Sequence, residues 1–394
     1  MCVSLACGLG FGQGGAAVAA DDSALLADAA GRASLFDSSW YDDPRLNIGG
    51  TVQLRSNANF RQQDAARSVD DFETGFLMRR IRIKLDGELA PGDSGTVVPW
   101  ELETEANRGT GGVFVLDAWF GFERGSWRVR FGQYVPPLTR EQMVSMSRRM
   151  AVEVSPVTGA FSTSGAGGRT QGIETRYRND DWSVFLMLAD GDRGGNAAFA
   201  ADEGDIGVYA RVERKFGEDG WRRFRDLTSR PGQVEALLLG ASGLVTVGET
   251  DADGDGAQRE AFYELIGSAD VSYEGDGRSA FVAANILHRN AQGVDDMNMF
   301  GVSGHVAQYV AQHLELFTQY SWLTGEDAAG ELSTLVGGFN KYFTEGHTLK
   351  LTADVLYSFN EITAAYASTS RALLQDAPGE DGQVVLRVQF QLVF

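Results

Sequence analysis

Residues 79–89 read Arg79-Arg80-Ile81-Arg82-Ile83-Lys84-Leu85-Asp86-Gly87-Glu88-Leu89, or RRIRIKLDGEL, and alternate charged with aliphatic side chains almost without a break. Successive side chains of a strand point to opposite faces. Arg80, Arg82, Lys84, Asp86 and Glu88 therefore share one side, and Ile81, Ile83, Leu85 and Leu89 the other. A half-solvated strand of a soluble sandwich reads the same way. What separates the readings is whether the pattern repeats, how the repeats are joined, and what the chain lacks elsewhere.

The pattern repeats sixteen times, near 47–60, 75–89, 97–106, 113–122, 127–135, 170–178, 182–189, 206–216, 233–247, 259–273, 279–288, 299–308, 314–323, 333–342, 348–359 and 383–394. Apolar sides stand out at Phe114/Leu116/Ala118/Phe120/Phe122, Trp182/Val184/Leu186/Leu188 and Leu349/Leu351/Ala353/Val355/Tyr357. Connections alternate in length. Turns such as 123–126, 179–181, 274–277 and 344–347 lie on one side, and longer segments such as 61–74, 136–169, 190–205 and 360–382 on the other, with 217–232 as the one exception. Short turns on one side and long loops on the other are the asymmetry of outer-membrane barrels. Leu386, Val388, Phe390, Leu392 and Phe394 form a last alternating segment ending on an aromatic residue. Because a bilayer leaves no backbone group unpaired, a strand-rich spanning protein must close on itself. The expected fold is all-β, a 16-stranded antiparallel transmembrane β-barrel, with the charged side of RRIRIKLDGEL facing its lumen.

Composition agrees. Among 394 residues the formal net charge is −20, which argues against a nucleic-acid partner, since phosphate binding needs a basic surface. Beyond residue 20 no run approaches the roughly 20 apolar residues of a membrane helix. The only cysteines, Cys2 and Cys7, lie in an apolar, small-residue N-terminus ending Ala17-Val18-Ala19-Ala20, which reads as a signal peptide over 1–20. Residues 21–44, with a short helical pattern at 24–30, read as a periplasmic extension and 45–394 as the barrel. The expected location is the bacterial outer membrane, in contact with its lipid.

The lumen is arginine-rich, with 30 arginines against four lysines, and Arg80, Arg82, Lys84, Arg128, Arg130, Arg176, Arg178 and Arg211 fall on inward faces. A guanidinium keeps its charge and presents a fork suited to oxyanions, so such a ladder can pass phosphate or carboxylate groups along. Acids are interleaved with it. Pairing across the turn after residue 90 sets Arg82 opposite Glu105, Lys84 opposite Glu103, Asp86 opposite Glu101 and Leu85 opposite Leu102. The first ladder is then neutralised locally, and the group around Arg128, Arg130, Arg176 and Arg178 is freer to set the field. Asp251, Asp253 and Asp255 with Gly256 copy half of a calcium loop, but Phe262 stands where a bidentate Glu is required, leaving an acidic turn or partial Ca²⁺ ligation. The histidines are scattered, and no nucleophile–base pattern is present, so no catalytic cycle or cofactor is expected.

The strand end Phe131-Gly132-Gln133-Tyr134-Val135-Pro136 leads into the longest loop, 136–169. With FLMRRIRIK at 76–84, DAWFGF at 117–122 and RTQGIE at 169–174, it resembles the phosphate-selective porin O and P family. The resemblance implies a trimeric 16-stranded porin with a long third loop folded inward, passing small anions. It also places Arg140, Arg148 and Arg149 of that loop at a constriction near Arg128 and Arg130. Scarce lysine and an acidic balance depart from a strongly phosphate-selective pore, so the expectation is a passive diffusion channel for small anionic solutes, phosphate among them. The runner-up is a plugged barrel acting as a structural, adhesion or Ca²⁺-binding surface protein.

Overall fold

A computed structural model describes residues 46–62, 71–89, 95–106, 111–162, 168–191, 206–218, 220–250, 260–291, 296–325, 330–344 and 346–394. The segments 1–20 and 21–44 and the turn carrying Asp251, Asp253 and Asp255 lie outside them. Sixteen strands form: β1 (Asn47–Phe60), β2 (Phe72–Leu89), β3 (Val98–Ala106), β4 (Val113–Arg124), β5 (Trp127–Tyr134), β6 (Thr170–Arg178), β7 (Trp182–Ala189), β8 (Ile206–Phe216), β9 (Ala236–Thr250), β10 (Glu260–Gly275), β11 (Arg278–Ala291), β12 (Met297–Ala311), β13 (Leu314–Gly325), β14 (Glu331–Tyr342), β15 (Leu349–Ser358) and β16 (Val384–Val393). Each pairs antiparallel with its sequence neighbours, and β1 pairs with β16 to close the barrel. At that seam Gly50 and Phe394 exchange backbone hydrogen bonds of 2.8 and 3.1 Å. A Cβ on Gly50 would stand 2.6 Å from the Phe394 ring, so glycine makes room for the terminal aromatic.

The two faces follow from solvation. Along β7 and β8 every second residue is exposed, and the exposed set, Trp182, Val184, Leu186, Leu188, Ile206, Val208, Ala210, Val212 and Phe216, is apolar except for Arg214, which lies over the Trp182 and Phe216 rings near the strand ends. Burial within a single chain occurs only on the lumen side, because nothing covers the outer face. Apolar-out alternation is therefore a lipid-facing band.

Register shifts break the strict alternation at three places among the described residues, one of them in β12 between Tyr309 and Ala311 and two beside the arginine wall. Gln53 pairs with Arg80 but Leu54 with Met78, leaving Arg79 as the extra residue of β2. A bulge flips the parity beyond it. Phe76 and Met78 thus share the outer face with Ile81 and Ile83, all four exposed, and both arginines of the doublet reach the lumen. In β4, Glu103 pairs with Asp117 and Thr104 with Val115, so Leu116 is extra and buried. The single apolar side running from Phe114 to Phe122 is thereby corrected: Phe120 and Phe122 face outward, whereas Phe114 pairs with the inward Glu105. The ninth strand also begins three residues later than the alternation suggests, because Gln233 is held in the preceding turn by the Arg230 N–H.

The lumen is partly filled. Segment 135–162 carries α1 (Arg140–Met143) and α2 (Pro156–Phe161), and Ser155 caps α2 by accepting from Thr158 N at 3.0 Å, with Pro156 at its first position. Helix α2 lies against β11, β12 and β13, where Gly301 leaves the space that Val157 and Phe161 occupy. Inward Ile266, Phe281, Leu287 and Leu323 join these residues in an apolar core, with Ile362, Tyr366 and Leu373 from the connection between β15 and β16. Apolar packing fills part of the β10–β14 side of the lumen, beside inward polar groups such as Glu274, Glu315 and Gln319, and the arginine ladder lies on the β2–β8 side.

Candidate functional site: the arginine wall and its cavity

The first ladder is neutralised as its register implies. β2 and β3 pair Arg82 with Glu105, Lys84 with Glu103 and Leu85 with Leu102. Arg82 Nε donates to Glu105 at 2.6 Å and its Nη1 lies 3.5 Å from Glu103. Lys84 differs in detail: its ammonium takes the diagonal Glu101 at 2.8 Å rather than Glu103. Arg169 joins from the end of the long connection, 2.7 Å from Asp117 and 3.5 Å from Glu103. The acidic cluster Glu101, Glu103 and Asp117 is thus matched by three cations.

Arg80 is tied to the connection. Buried Glu153 accepts from Arg55 at 2.7 Å and Arg80 at 3.1 Å, and from the bulged Arg79. Burial raises the Glu153 carboxyl pKa, but Arg80, Arg55 and Arg79 outweigh it and hold it well below the ordinary carboxylate value. Further clips are Val152 N to Asp354 at 3.2 Å, Lys350 Nζ to Arg149 O at 2.8 Å and Gln391 to Ser147 O at 2.9 Å. Segment 145–155 therefore lies across inward faces of β1, β2, β15 and β16. Arg149 is buried, donates to Gln142 O at 3.3 Å, and is pushed down to about 10 by burial. Arg140 is buried and donates to Phe224 O.

The second group is mixed. Arg130 is not free: it donates to Glu174 at 3.1 and 2.7 Å and stacks over Tyr134 at 3.7 Å. Arg176 lies 3.7 Å from Glu123, and Arg148 donates to Asp226 at 3.0 Å. Arg128 lies 5.7 Å over Trp119 and Arg178 lies 4.8 Å over Trp221, and among the described residues neither makes an ion pair. A stacked guanidinium keeps its N–H edge available to an anion. Six of the residues read from the sequence, Lys84, Arg128, Arg140, Arg148, Arg176 and Arg178, line one cavity of about 600 Å³. Arg80, Arg82, Arg130 and Arg149 do not. The sequence reading missed Arg225, Trp221 and Phe224, which line it from the connection between β8 and β9. Their signal was that connection's length on the short-turn side.

The Gly132-Gln133 pair has a structural cause. Gly132 has φ 128°, and a Cβ there would meet Ala118 O at 2.1 Å. Gln133 Nε2 donates to Val115 O at 3.0 Å and Leu116 O at 2.7 Å, capping carbonyls at the β4 bulge. The motif thereby fixes the end of β5, from which Tyr134 supports Arg130 and the long connection departs.

Comparison with known families meets the same stretch. Residues 51–211 match the phosphate-selective porin O and P family. The match begins in β1, spans the arginine wall and ends in β8. No curated protein matches the chain. Among solved structures, in-vitro folded OmpT of Vibrio cholerae superposes with a TM-score of 0.60 at 12% identity, over 89% of this chain and 97% of that one. The anion-selective porin from Comamonas acidovorans gives 0.60 at 15% identity, over 89% and 99%. Salmonella typhi OmpF, in complex with daunomycin, gives 0.57 at 16% identity, over 89% and 99%. At these identities the likeness establishes the fold, that of outer-membrane porins. With the lipid-facing band and the family match, the chain is an integral outer-membrane β-barrel.

Proposed function

We propose that this barrel is a passive diffusion pore preferring small anions, with phosphate and other oxyanions among them, and that it acts as a homotrimer without a catalytic cycle. The observation that carries the reading is the sign of the cavity wall: seven basic side chains (Lys84, Arg128, Arg140, Arg148, Arg176, Arg178, Arg225) against three acidic ones (Asp86, Glu103, Glu213). The −20 of the whole chain does not set the field in a narrow aqueous path. Nearby charges in low-dielectric walls do, and they focus it. The anion-selective Comamonas acidovorans porin, sharing the fold, supports the same reading. The packed lumen side favours a narrow path, and it also gives substance to a plugged structural barrel as the second reading. Planar-bilayer recording in a salt gradient tests the proposal. Stepwise conductance with a zero-current potential of anion preference is expected. Cation preference overturns the anion path, and absence of conductance favours the plugged barrel.

A further inference from the structure

The connection between β8 and β9 sits on the short-turn side, periplasmic in outer-membrane barrels, where 125–126, 179–181, 276–277 and 312–313 are tight turns. It is longer and runs into the barrel. Phe224 is buried against Ala236 and Leu238, and Leu227 joins the lumenal core. Arg223 Nε reaches Glu274 at 3.3 Å on β10, and Thr228 donates to Glu315 on β13. Two contacts bind it to the long connection: Arg140 to Phe224 O, and Arg148 to Asp226. His347 Nε2 lies 3.6 Å from Asp226 on the other side. Residues held at so many points have a fixed place in the path.

Trp221 and Arg225 are left facing the cavity. The Trp221 indole donates to Asn179 O at 2.7 Å, fixing the ring that supports Arg178. Arg225 is exposed and, among the described residues, has no ion pair. We propose that residues 220–229 form a second selectivity element at the periplasmic mouth, in series with the long connection, in which Arg225 attracts the permeating anion and Trp221 positions Arg178. The inference rests on the anion-pore reading. Binding at successive sites, each weak enough to leave, is how a charged path conducts while it selects. Arg225 supplies the last such site before the periplasm.

The test compares zero-current potentials of wild type, Arg225→Gln, Trp221→Ala and Arg128→Gln in a tenfold KCl gradient, with Arg230→Gln as a control on the same connection. Arg230 lines a separate cavity with Pro231 and His313. Arg225→Gln is expected to lower the anion-to-cation permeability ratio at least twofold, Trp221→Ala to lower it less, and Arg230→Gln to leave it unchanged. A wild-type ratio retained in Arg225→Gln while Arg128→Gln lowers it overturns the inference and leaves the anion pore standing. Should the wild type prefer cations or fail to conduct, the anion-pore reading falls, and the inference is judged by cysteine chemistry. In a Cys2→Ser/Cys7→Ser background, Arg225→Cys should react several-fold faster with an anionic than with a cationic methanethiosulfonate, relative to Arg230→Cys. Equal relative rates overturn it.

Discussion

Replacing Glu153 by Gln keeps its shape and removes one charge at the point where the long connection meets the wall. The carboxylate lies 2.7 Å from Arg55 and 3.1 Å from Arg80, contacts Arg79, and is buried with them. Taking one partner from a buried ion pair costs about 3–5 kcal/mol, because the remaining charge is left uncompensated. Here three guanidiniums are left. Arg55 retains Gln389 and the carbonyls of Val152 and Ser370, and Arg80 retains Gln53, so part of the loss is cushioned. The arginines belong to β1 and β2 and the carboxylate to the connection, so the cost falls on docking rather than on the barrel. At 1.4 kcal/mol per decade, the undocked fraction of 145–155 rises by roughly two to three and a half orders of magnitude. Limited proteolysis of folded protein should show cleavage within 136–162 in Glu153→Gln and not in wild type, with noisier single-channel current. The pH dependence has a fixed sign. A carboxylate depressed on folding contributes in full above its unfolded value, near ~4.3, and loses that contribution as pH falls through the lower folded one. Wild type therefore stays protected down to about pH 4, whereas Glu153→Gln is cleaved at neutral pH. Adding Arg79→Gln to Glu153→Gln should restore part of the protection. Equal protection and equal noise in wild type and Glu153→Gln would refute the latch.

The two arginine groups should separate in a salt gradient. Arg128→Gln/Arg178→Gln should shift the zero-current potential toward cations by more than Arg82→Gln/Lys84→Gln, whose main effect is to expose Glu101 and Glu105 and lower the denaturant midpoint. Gly132→Ala forces a side chain into a left-handed conformation 2.1 Å from a carbonyl. It should cost on the order of 1–3 kcal/mol or more, read as a lower midpoint of heat-modifiable mobility, whereas Gly75→Ala, with open space around it, should not. Epitopes inserted at 196 or 328 should be reached by antibody on intact cells and one at 345 should not, because these connections join strands at opposite ends of the barrel. Equal labelling at all three would invert or remove the topology.

How far the sequence reveals this molecule depends on which neighbour decides each residue's environment. Lipid decides the outer face, uniformly and at every second residue, so strands and closure could be read from alternation; Arg82 opposite Glu105 and Leu85 opposite Leu102 follow from that period together with pairing across the turn after residue 90. A bulge is one residue of broken period. The Arg79-Arg80 doublet carried the signal, since an arginine at an aliphatic position on the lipid face is costly, but its meaning required Glu153 on the other side. That partner lies far along the chain and leaves no mark on the local pattern. The lumen has no uniform solvent either. Ile266, Phe281 and Leu323 face inward and are apolar because α2 and the β15–β16 connection cover them, whereas Arg128 faces inward over Trp119 and lines the cavity that those segments leave open. Inwardness is legible in the period of two, whereas packed core or open cavity is decided by which connections fold back. The exception in connection length, 217–232, was therefore the most informative departure in the sequence. A short-side turn that keeps extra residues needs somewhere to bury Phe224 and Leu227, and in a barrel whose outside is lipid and whose rim is water the remaining place is the pore itself.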